Sequence, residues 1–440
     1  MERQRSTVLN KIDEIRDDVL EILKEIIRIP SITPKYPGVR REEVLGGETL
    51  CNQTLSRFYE QIGCRVDLWE EERDRANLVG VLEGVGGGRS LIFNGHIDIV
   101  PPGPREDWKW NDPYSGRVED GRLYGRGSCD MKGGIVAQYA AARALVECGI
   151  RLRGDLILES VVGEETMDHE AGTSAAVRRG YRADGAIVSE PTSGSTRVAV
   201  APASAGMLYM TVTCPGVAGH PGARFQFVRA GGAGPSAGVN AVEKGVLVLK
   251  ALQDLEKQWG FSKRHPLFPP GYFTLHPGVI VGGPPGPLVP FIVSTYCRTE
   301  YIIWYPPQEP VEMIKEEVAD YIAKAAALDP WLAEHPPRIE WKNHWPPYEI
   351  DEDHPIVRTC AACRDEVARG TPEFREGRSI QGFLAVCDAT FLNQAGIPTI
   401  TCGPGACSIA HQCNESLPID ELVFAAKTYA LAAMDWCGTS

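Results

Sequence analysis

Two histidines and five acidic residues stand where this chain could present chemistry. The apolar run beginning at Leu91 ends in Asn94-Gly95, sets His96 and Asp98 two residues apart, and stops at Pro101-Pro102-Gly103. Side chains at i and i+2 of a strand leave the same face, so this pair can address one point. A metal-ligating imidazole steadied by a carboxylate has that arrangement; so does a hydrogen-bonded core histidine. Glu164 and Glu165 follow a strand-like run with no lysine or arginine close in sequence. Adjacent carboxylates repel unless a cation is near. Either both are solvated, or one ligates a metal and leaves the other free to take a proton from bound water. Asp130 is set among glycines in GRGSCDMKGG, where the backbone can turn tightly and aim the carboxylate inward; as an alternative it caps the helix that follows. Glu190 ends an apolar run before Pro191, and His411 follows a strand and a glycine turn.

The elements that must position these residues are legible from periodicity. Helical spacing runs over 8–29, ending before Pro30, and over 48–63. Strand-like runs cover 76–82, 90–97 and 155–162, with a glycine-opened helix over 133–148. Strands alternating with helices predict an α/β layer with a largely buried sheet. Near Ala205 the rhythm changes to strand 207–214, helix 239–259, strands 274–281 and 292–304, helix 310–327 and strand 338–344. That βαββαβ order predicts a split-βαβ, ferredoxin-like sandwich. Helix returns over 351–370, and a buried strand over 397–402 leads into Gly403-Pro404-Gly405. The expected organisation is an α/β domain, 1–204 and 347–440, interrupted by an inserted α+β domain, 205–346. The proline-rich patches at 266–270 and 282–290 are expected to be loops.

A chain of 440 residues exceeds the usual single-domain size. Its 43% hydrophobic and 23% charged residues are those of a soluble globular protein. A formal net charge of −13 argues against nucleic acid and anionic membranes as partners. The N-terminal segment is charged and amphipathic, without a signal-peptide core, and no run is long and apolar enough to span a bilayer; a cytoplasmic location is expected. The 13 cysteines are odd in number and scattered, which favours reduced thiols. Cys360 and Cys363 form a CxxC inside a helical pattern and are expected to be structural.

Five ordered blocks, GHIDIVPPG, GRGSCDMKGG, GEET, SEPT and GPG followed by AH, resemble the M20 family of metallopeptidases and amidohydrolases. The resemblance extends over essentially the whole chain, with GHPG and GVNAVEK in the inserted domain, and is nearest the acetylornithine deacetylase and succinyl-diaminopimelate desuccinylase branch. It implies a zinc-peptidase-like α/β catalytic domain with an inserted ferredoxin-like lid and dimerisation domain. It implies two divalent metal ions, usually zinc, with cobalt or manganese compatible with the donors. His96 and Glu190 would bind one, Glu165 and His411 the other, and Asp130 both. Asp98 would orient His96, and Glu164 would be the general base for a water or hydroxide between the metals. His220 of the partner subunit in a homodimer would stabilise the tetrahedral oxyanion, with Asn240 a weaker candidate for that task.

The chain departs from the family pattern in three places. Residues 221–237, with Arg224, Phe225, Phe227 and Arg229, form an insertion: either a surface loop or an aromatic contact in the substrate cleft. Thr390 stands where an arginine is common, and Arg298 is the only arginine in the lid strand that often supplies a carboxylate-binding one. The expected activity is hydrolysis of the amide C–N bond of a small N-acylated amino acid or related compound. The alternatives are a di- or carboxypeptidase, a catabolic amidohydrolase or deaminase acting on an aromatic compound, or, in another class, a metal-free binding or regulatory relative.

Overall fold

Apolar, β-branched runs build the sheet that carries the candidate residues. The computed structural model describes residues 2–229, 238–284, 286 and 289–440. In chain order the first segment holds helices α1 (Glu2–Glu14), α2 (Arg16–Ile27) and α3 (Gly47–Gln61), strands β1 (Arg65–Glu72), β2 (Arg75–Leu82) and β3 (Leu91–His96), helix α4 (Lys132–Glu147), and strands β4 (Leu156–Val161) and β5 (Ala186–Val188). The inserted segment contributes β6 (Gly206–Pro215), α5 (Ala241–Ser262), β7 (Leu275–Gly283), β8 (Tyr296–Tyr305), α6 (Val311–Ala327) and β9 (Arg338–Trp345). Helix α7 (Pro355–Ala368), strand β10 (Thr399–Thr401) and helix α8 (Ile419–Cys437) close the chain. Two compact units result: Met1–Ser204 with Tyr348–Ser440, and Ala205–Pro347.

The first unit is built on a six-stranded sheet in the order β1-β2-β4-β3-β5-β10. Strand β3 runs parallel to β4 and β5, and β5 parallel to β10; β1 with β2, and β2 with β4, are antiparallel. Strands β3, β4 and β5 are buried throughout. Successive residues feed two separate cores: Leu91, Phe93, Leu156 and Leu158 one, Ile92 and Ile157 the other. A sheet covered on both faces requires such unbroken apolar strands. Helices α4 and α8 pack against each other, and both bury small residues such as Ala137, Ala141, Ala426 and Ala430. Where the apolar spacing predicts a single helix over 8–29, the chain forms α1 and α2. Ile15 between them has φ −86° and ψ 2°, and the hydrogen bonds from Ile15 to Lys11 and from Val19 to Ile15 carry the helical path across the break.

The second unit is a four-stranded antiparallel sheet in the order β9-β6-β8-β7, the split-βαβ arrangement. Strand β8 alternates strictly: Cys297, Thr299, Tyr301, Ile303 and Tyr305 are buried. Tyr301 and Ile303 pack with Val248 and Leu252 of α5 and Val318 and Ile322 of α6. Cys360 and Cys363 are buried on α7, and all 13 cysteines are free thiols. No helix among the described residues is long and apolar enough to cross a membrane.

Gly134 shows how closely the elements approach beneath the candidate site. A Cβ built there would lie 2.2 Å from the Ser189 carbonyl oxygen and 2.6 Å from its Oγ. Backbone cannot yield as a flexible side chain can, so Gly134→Ala is expected to destabilise the unit by about 1–3 kcal/mol, the usual cost of overpacking. Urea denaturation checks this; an unchanged midpoint would show that α4 and the end of β5 have slack.

Candidate metal centre

The parallel strands end on one edge of the sheet, and ligands in open α/β sheets gather at such carboxyl ends. His96 is the last residue of β3, Glu164 and Glu165 follow β4, Glu190 follows β5, and His411 lies in the segment after β10. Asp130 precedes α4. The N-cap position of that helix is Met131, without a side-chain cap, so the alternative of a capping Asp130 does not hold. The Asp130–Met131 peptide is cis.

Asp130 is the meeting point. Its Oδ1 lies 3.2 Å from His96 Nε2, and its Oδ2 lies 3.2 Å from His411 Nε2. His96 Nε2 is also 3.3 Å from Glu190 Oε1 and 3.8 Å from Glu164 Oε2. His411 Nε2 is 3.0 Å from Glu165 Oε2. One carboxylate thus faces two imidazoles, each with its own acidic companion.

Asp98 stands just beyond the end of β3, with its Oδ1 3.6 Å from His96 Nδ1. His96 Nδ1 instead donates to the backbone carbonyl of Asp98 at 3.0 Å. A carbonyl only accepts, so Nδ1 carries a hydrogen, which leaves Nε2 as the nitrogen that could ligate a cation once any proton there has left. The Asp98 carboxylate accepts the backbone N–H of Gly163 at 2.9 Å and of Glu165 at 3.2 Å. It therefore fixes the turn that carries the two glutamates.

That turn is also held from behind by residues the sequence reading missed. Gly163 has φ +93°, and a Cβ there would lie 2.7 Å from the Asp168 carbonyl oxygen, so only glycine fits. The Asp168 carboxylate takes Arg75 Nη1 at 2.6 Å and Lys35 Nζ at 2.7 Å. Arg75 is fully buried and grips Glu48 through two further bonds of 2.7 and 2.9 Å. Its one sequence signal is an arginine opening an otherwise apolar strand, RANLVGVL.

The electrostatics are those of a site short of positive charge. Burial pushes the Glu190 carboxyl up to about 8, with Asp130 adding to the rise against the pull of His96. Burial also raises Glu164 well above the carboxylate range, opposed by His96 and reinforced by Glu190 and Glu165. His411 loses proton affinity to burial, but Asp130 and Glu165 outweigh this and raise it to about 11. Asp130 is desolvated, yet the bonds from His411 and His96 hold it below its ordinary range.

These residues fit divalent cations. Imidazole nitrogens and carboxylate oxygens face one another at 3.0–3.3 Å, a mixed nitrogen and oxygen donor set that divalent cations could take once its protons leave. Glu165 Oε1 is buried with no hydrogen-bond partner. Two groups, His96 with Glu164 and Glu190, and His96 with Asp130 and Glu165, have donor atoms within 4.8 Å of one another.

The inserted unit, taken by itself, places the other candidates. His220 Nδ1 accepts the Gly222 N–H at 3.0 Å, and Asn240 Oδ1 caps α5 by accepting the Val242 N–H at 3.1 Å. Both residues line a cleft of about 400 Å³ with Arg224, Val242 and Ile292. Arg298, the weak substrate-binding candidate, is not brought to it. Strand alternation puts Arg298 on the half-exposed side of β8, where it pairs with Glu300 at 3.1 Å. Of the insertion, Phe225 is exposed, residues 230–237 lie outside the described residues, and so do the side chains of Phe227 and Arg229.

The chain belongs to peptidase family M20/M25/M40, whose model matches residues 92–435. It is similar to the N-formyl-4-amino-5-aminomethyl-2-methylpyrimidine deformylase of Halalkalibacterium halodurans, 34% identical over 98% of this chain and 97% of that protein. The Bacillus subtilis protein of the same name is 31% identical over 99% of each. Among solved structures, the di-peptidase Dug1p from Saccharomyces cerevisiae shares the fold, with a TM-score of 0.69, 15% identity and 99% of each chain covered. Family and relatives make this chain a metal-dependent hydrolase of the amidohydrolase class.

Metal binding is expected to release protons. Without metal at pH 7, raised proton affinities keep His411 and Glu190 protonated; a cation must displace those protons. Affinity therefore rises with pH from below neutrality, and the release shrinks above about 8 as Glu190 empties on its own. Calorimetry in two buffers of different ionisation enthalpy measures the release; no net proton exchange at pH 7 would contradict the charge distribution.

Proposed function

We propose that the chain hydrolyses the amide bond of a small N-acyl compound, with an N-formyl group on the amine of a neutral heteroaromatic molecule as the preferred class. The observation that carries the reaction type is Asp130, whose two oxygens face His96 and His411 at 3.2 Å each. His96 and Glu190 would hold one divalent cation, Glu165 and His411 a second, and Asp130 both. Zinc suits this mixed nitrogen and oxygen set, and cobalt or manganese are compatible with it. Bound there, the cations would lower the pKa of a water from about 15.7 toward about 7 and polarise the amide carbonyl.

Glu164 is assigned the base. Its Oε2 is 3.8 Å from His96 Nε2, farther than the Asp130 and Glu190 oxygens at 3.2 and 3.3 Å, so it would stand within reach of a water that the cations held. Its raised proton affinity suits a group that takes a proton from the attacking water and returns it to the leaving nitrogen. Water adds to the acyl carbon, the C–N bond breaks, and the acid and the amine leave. His220 is assigned the oxyanion donor: with Nδ1 accepting from Gly222, a neutral ring carries its hydrogen on Nε2. By family analogy it would act on the partner's active site in a homodimer.

The substrate class rests on two supports. The two relatives that match nearly the whole chain at 34% and 31% identity are named as deformylases of an aminomethylpyrimidine. Thr390 stands where many family members have an arginine, and Arg298 is paired with Glu300, so neither position offers a free cation for an α-carboxylate.

Three measurements test this reading. Glu164→Gln is expected to lower kcat about 10²–10⁴-fold with metal content unchanged; near-normal turnover would remove Glu164 from the role. In a panel of N-formyl, N-acetyl, N-succinyl and dipeptide substrates scored by released acid, N-formyl aminomethyl heteroaromatics are expected to give the highest kcat/KM. A preference for N-acyl amino acids with a free α-carboxylate would overturn the substrate assignment. His220→Ala should lower turnover severely and leave metal uptake intact; normal turnover would exclude it.

A further inference from the structure

Arg126 and Glu415 form a buried ion pair 289 residues apart in sequence, 2.6 Å between Arg126 Nη1 and Glu415 Oε2. Neither touches the facing carboxylates and imidazoles, yet each reaches the backbone of a residue that does. Glu415 Oε1 accepts two consecutive backbone N–H groups, Cys129 at 2.9 Å and Asp130 at 3.1 Å. Arg126 Nη2 donates to the His411 carbonyl at 3.2 Å. One pair thus grips the main chain of Asp130 and the main chain of His411, the two residues whose side chains meet at 3.2 Å.

His411 needs such a hold. It has φ +62°, a left-handed conformation uncommon outside glycine, and its residue is half exposed. The segment before the pair and the segment after it are also zipped together. Arg122–Tyr124 pairs antiparallel with Ser416–Pro418, the Gly125 N–H donates to the Glu415 carbonyl at 2.9 Å, and Arg122 Nε donates to Ser416 Oγ at 2.9 Å. This ladder belongs to a three-stranded sheet separate from the main one. The guanidinium of Arg126 lies 5.3 Å from the ring centre of Trp108, whose Nε1 donates to the Pro102 carbonyl in the loop that follows Asp98.

We propose that Arg126 and Glu415 are positioning residues that set the distance between Asp130 and His411 and so the affinity of the cation those two share. The ion pair is the clasp; the short sheet fixes its register. Asp130 would also serve the cation beside His96 and Glu190, but there two ligands are fixed by β3 and β5, whereas beside His411 the clasp holds both Asp130 and His411; it therefore governs that cation more than the other. A pair with a merely structural role would lower stability without separating the two.

This inference rests on the two-cation reading above, and the test separates the two. Zinc is titrated calorimetrically into metal-free wild type, Arg126→Lys and Glu415→Gln, with the melting temperature of each metal-free protein measured alongside. Arg126→Lys keeps the charge but loses the planar fork that spans Glu415 and the His411 carbonyl. Glu415→Gln keeps an acceptor for the two N–H groups but loses the ion pair. The expected result is two equivalents in wild type, and in each variant one near-wild-type equivalent and one about 10–100-fold weaker, the usual loss when a ligand's supporting partner is removed. Two equivalents of unchanged affinity in Arg126→Lys would overturn the inference even if its melting temperature fell. Equal weakening of both equivalents would overturn it too. Wild type binding fewer than two equivalents would overturn the two-cation reading, and the inference with it. If Glu415→Gln does not fold, Arg126→Lys alone decides.

Discussion

Negative charge converging on a buried point is the constraint on which the rest of this structure depends. Asp130, Glu164, Glu165 and Glu190 share a crevice with two imidazoles, and in low dielectric such groups repel by several kcal/mol unless cations lie among them. Two divalent cations would balance these four carboxylates. The fold is arranged so that the carboxylates cannot escape one another. Two of the groups sit where buried parallel strands end, and the glutamate turn is tied by Asp98 on one side and by Arg75 through Asp168 on the other.

Two kinds of device hold the site. Strand ends give coarse placement, because β3, β4 and β5 are locked between two cores and deliver His96, Glu164 and Glu190 to one edge. Backbone-directed bonds from charged side chains give the finer placement. The Asp98 carboxylate takes two N–H groups at the Glu164–Glu165 turn, and the Glu415 carboxylate takes two at Asp130. In both cases an acidic side chain that does not face the imidazoles' Nε2 atoms orders the backbone of one that does. The proposed hydrolysis would then need little more than bound cations, a base beside them and a donor for the oxyanion.

What was legible in the sequence follows from the range of the signals. β3, β4 and α4 were readable because unbroken apolar runs and small-residue spacing are local, and the inserted sandwich was readable from the order of its elements. The seven residues of the centre were readable only jointly, through five ordered blocks and a family resemblance. Arg75, Arg126 and Glu415 were not readable. Arg75 reaches the glutamate turn through Asp168, 93 residues on, the partners through which Arg126 and Glu415 act lie 285–289 residues away, and an arginine or glutamate in isolation looks like a solvated surface charge. The strand Arg65–Glu72 was hidden because it is a polar edge strand, and the short strands at 117–119, 122–124 and 416–418 because three residues carry no periodicity. Asp98 reads as part of the strand because the apolar run continues past His96, whereas β3 ends at His96.

The central claim is that two cations flank Asp130, and the most direct test is anomalous scattering at the zinc edge from crystals of the zinc-reconstituted protein. The account predicts two peaks, one beside His96 and Glu190 and one beside His411 and Glu165, with an Asp130 oxygen toward each. A single peak, or a peak with Glu164 as a ligand in place of Asp130, would contradict it.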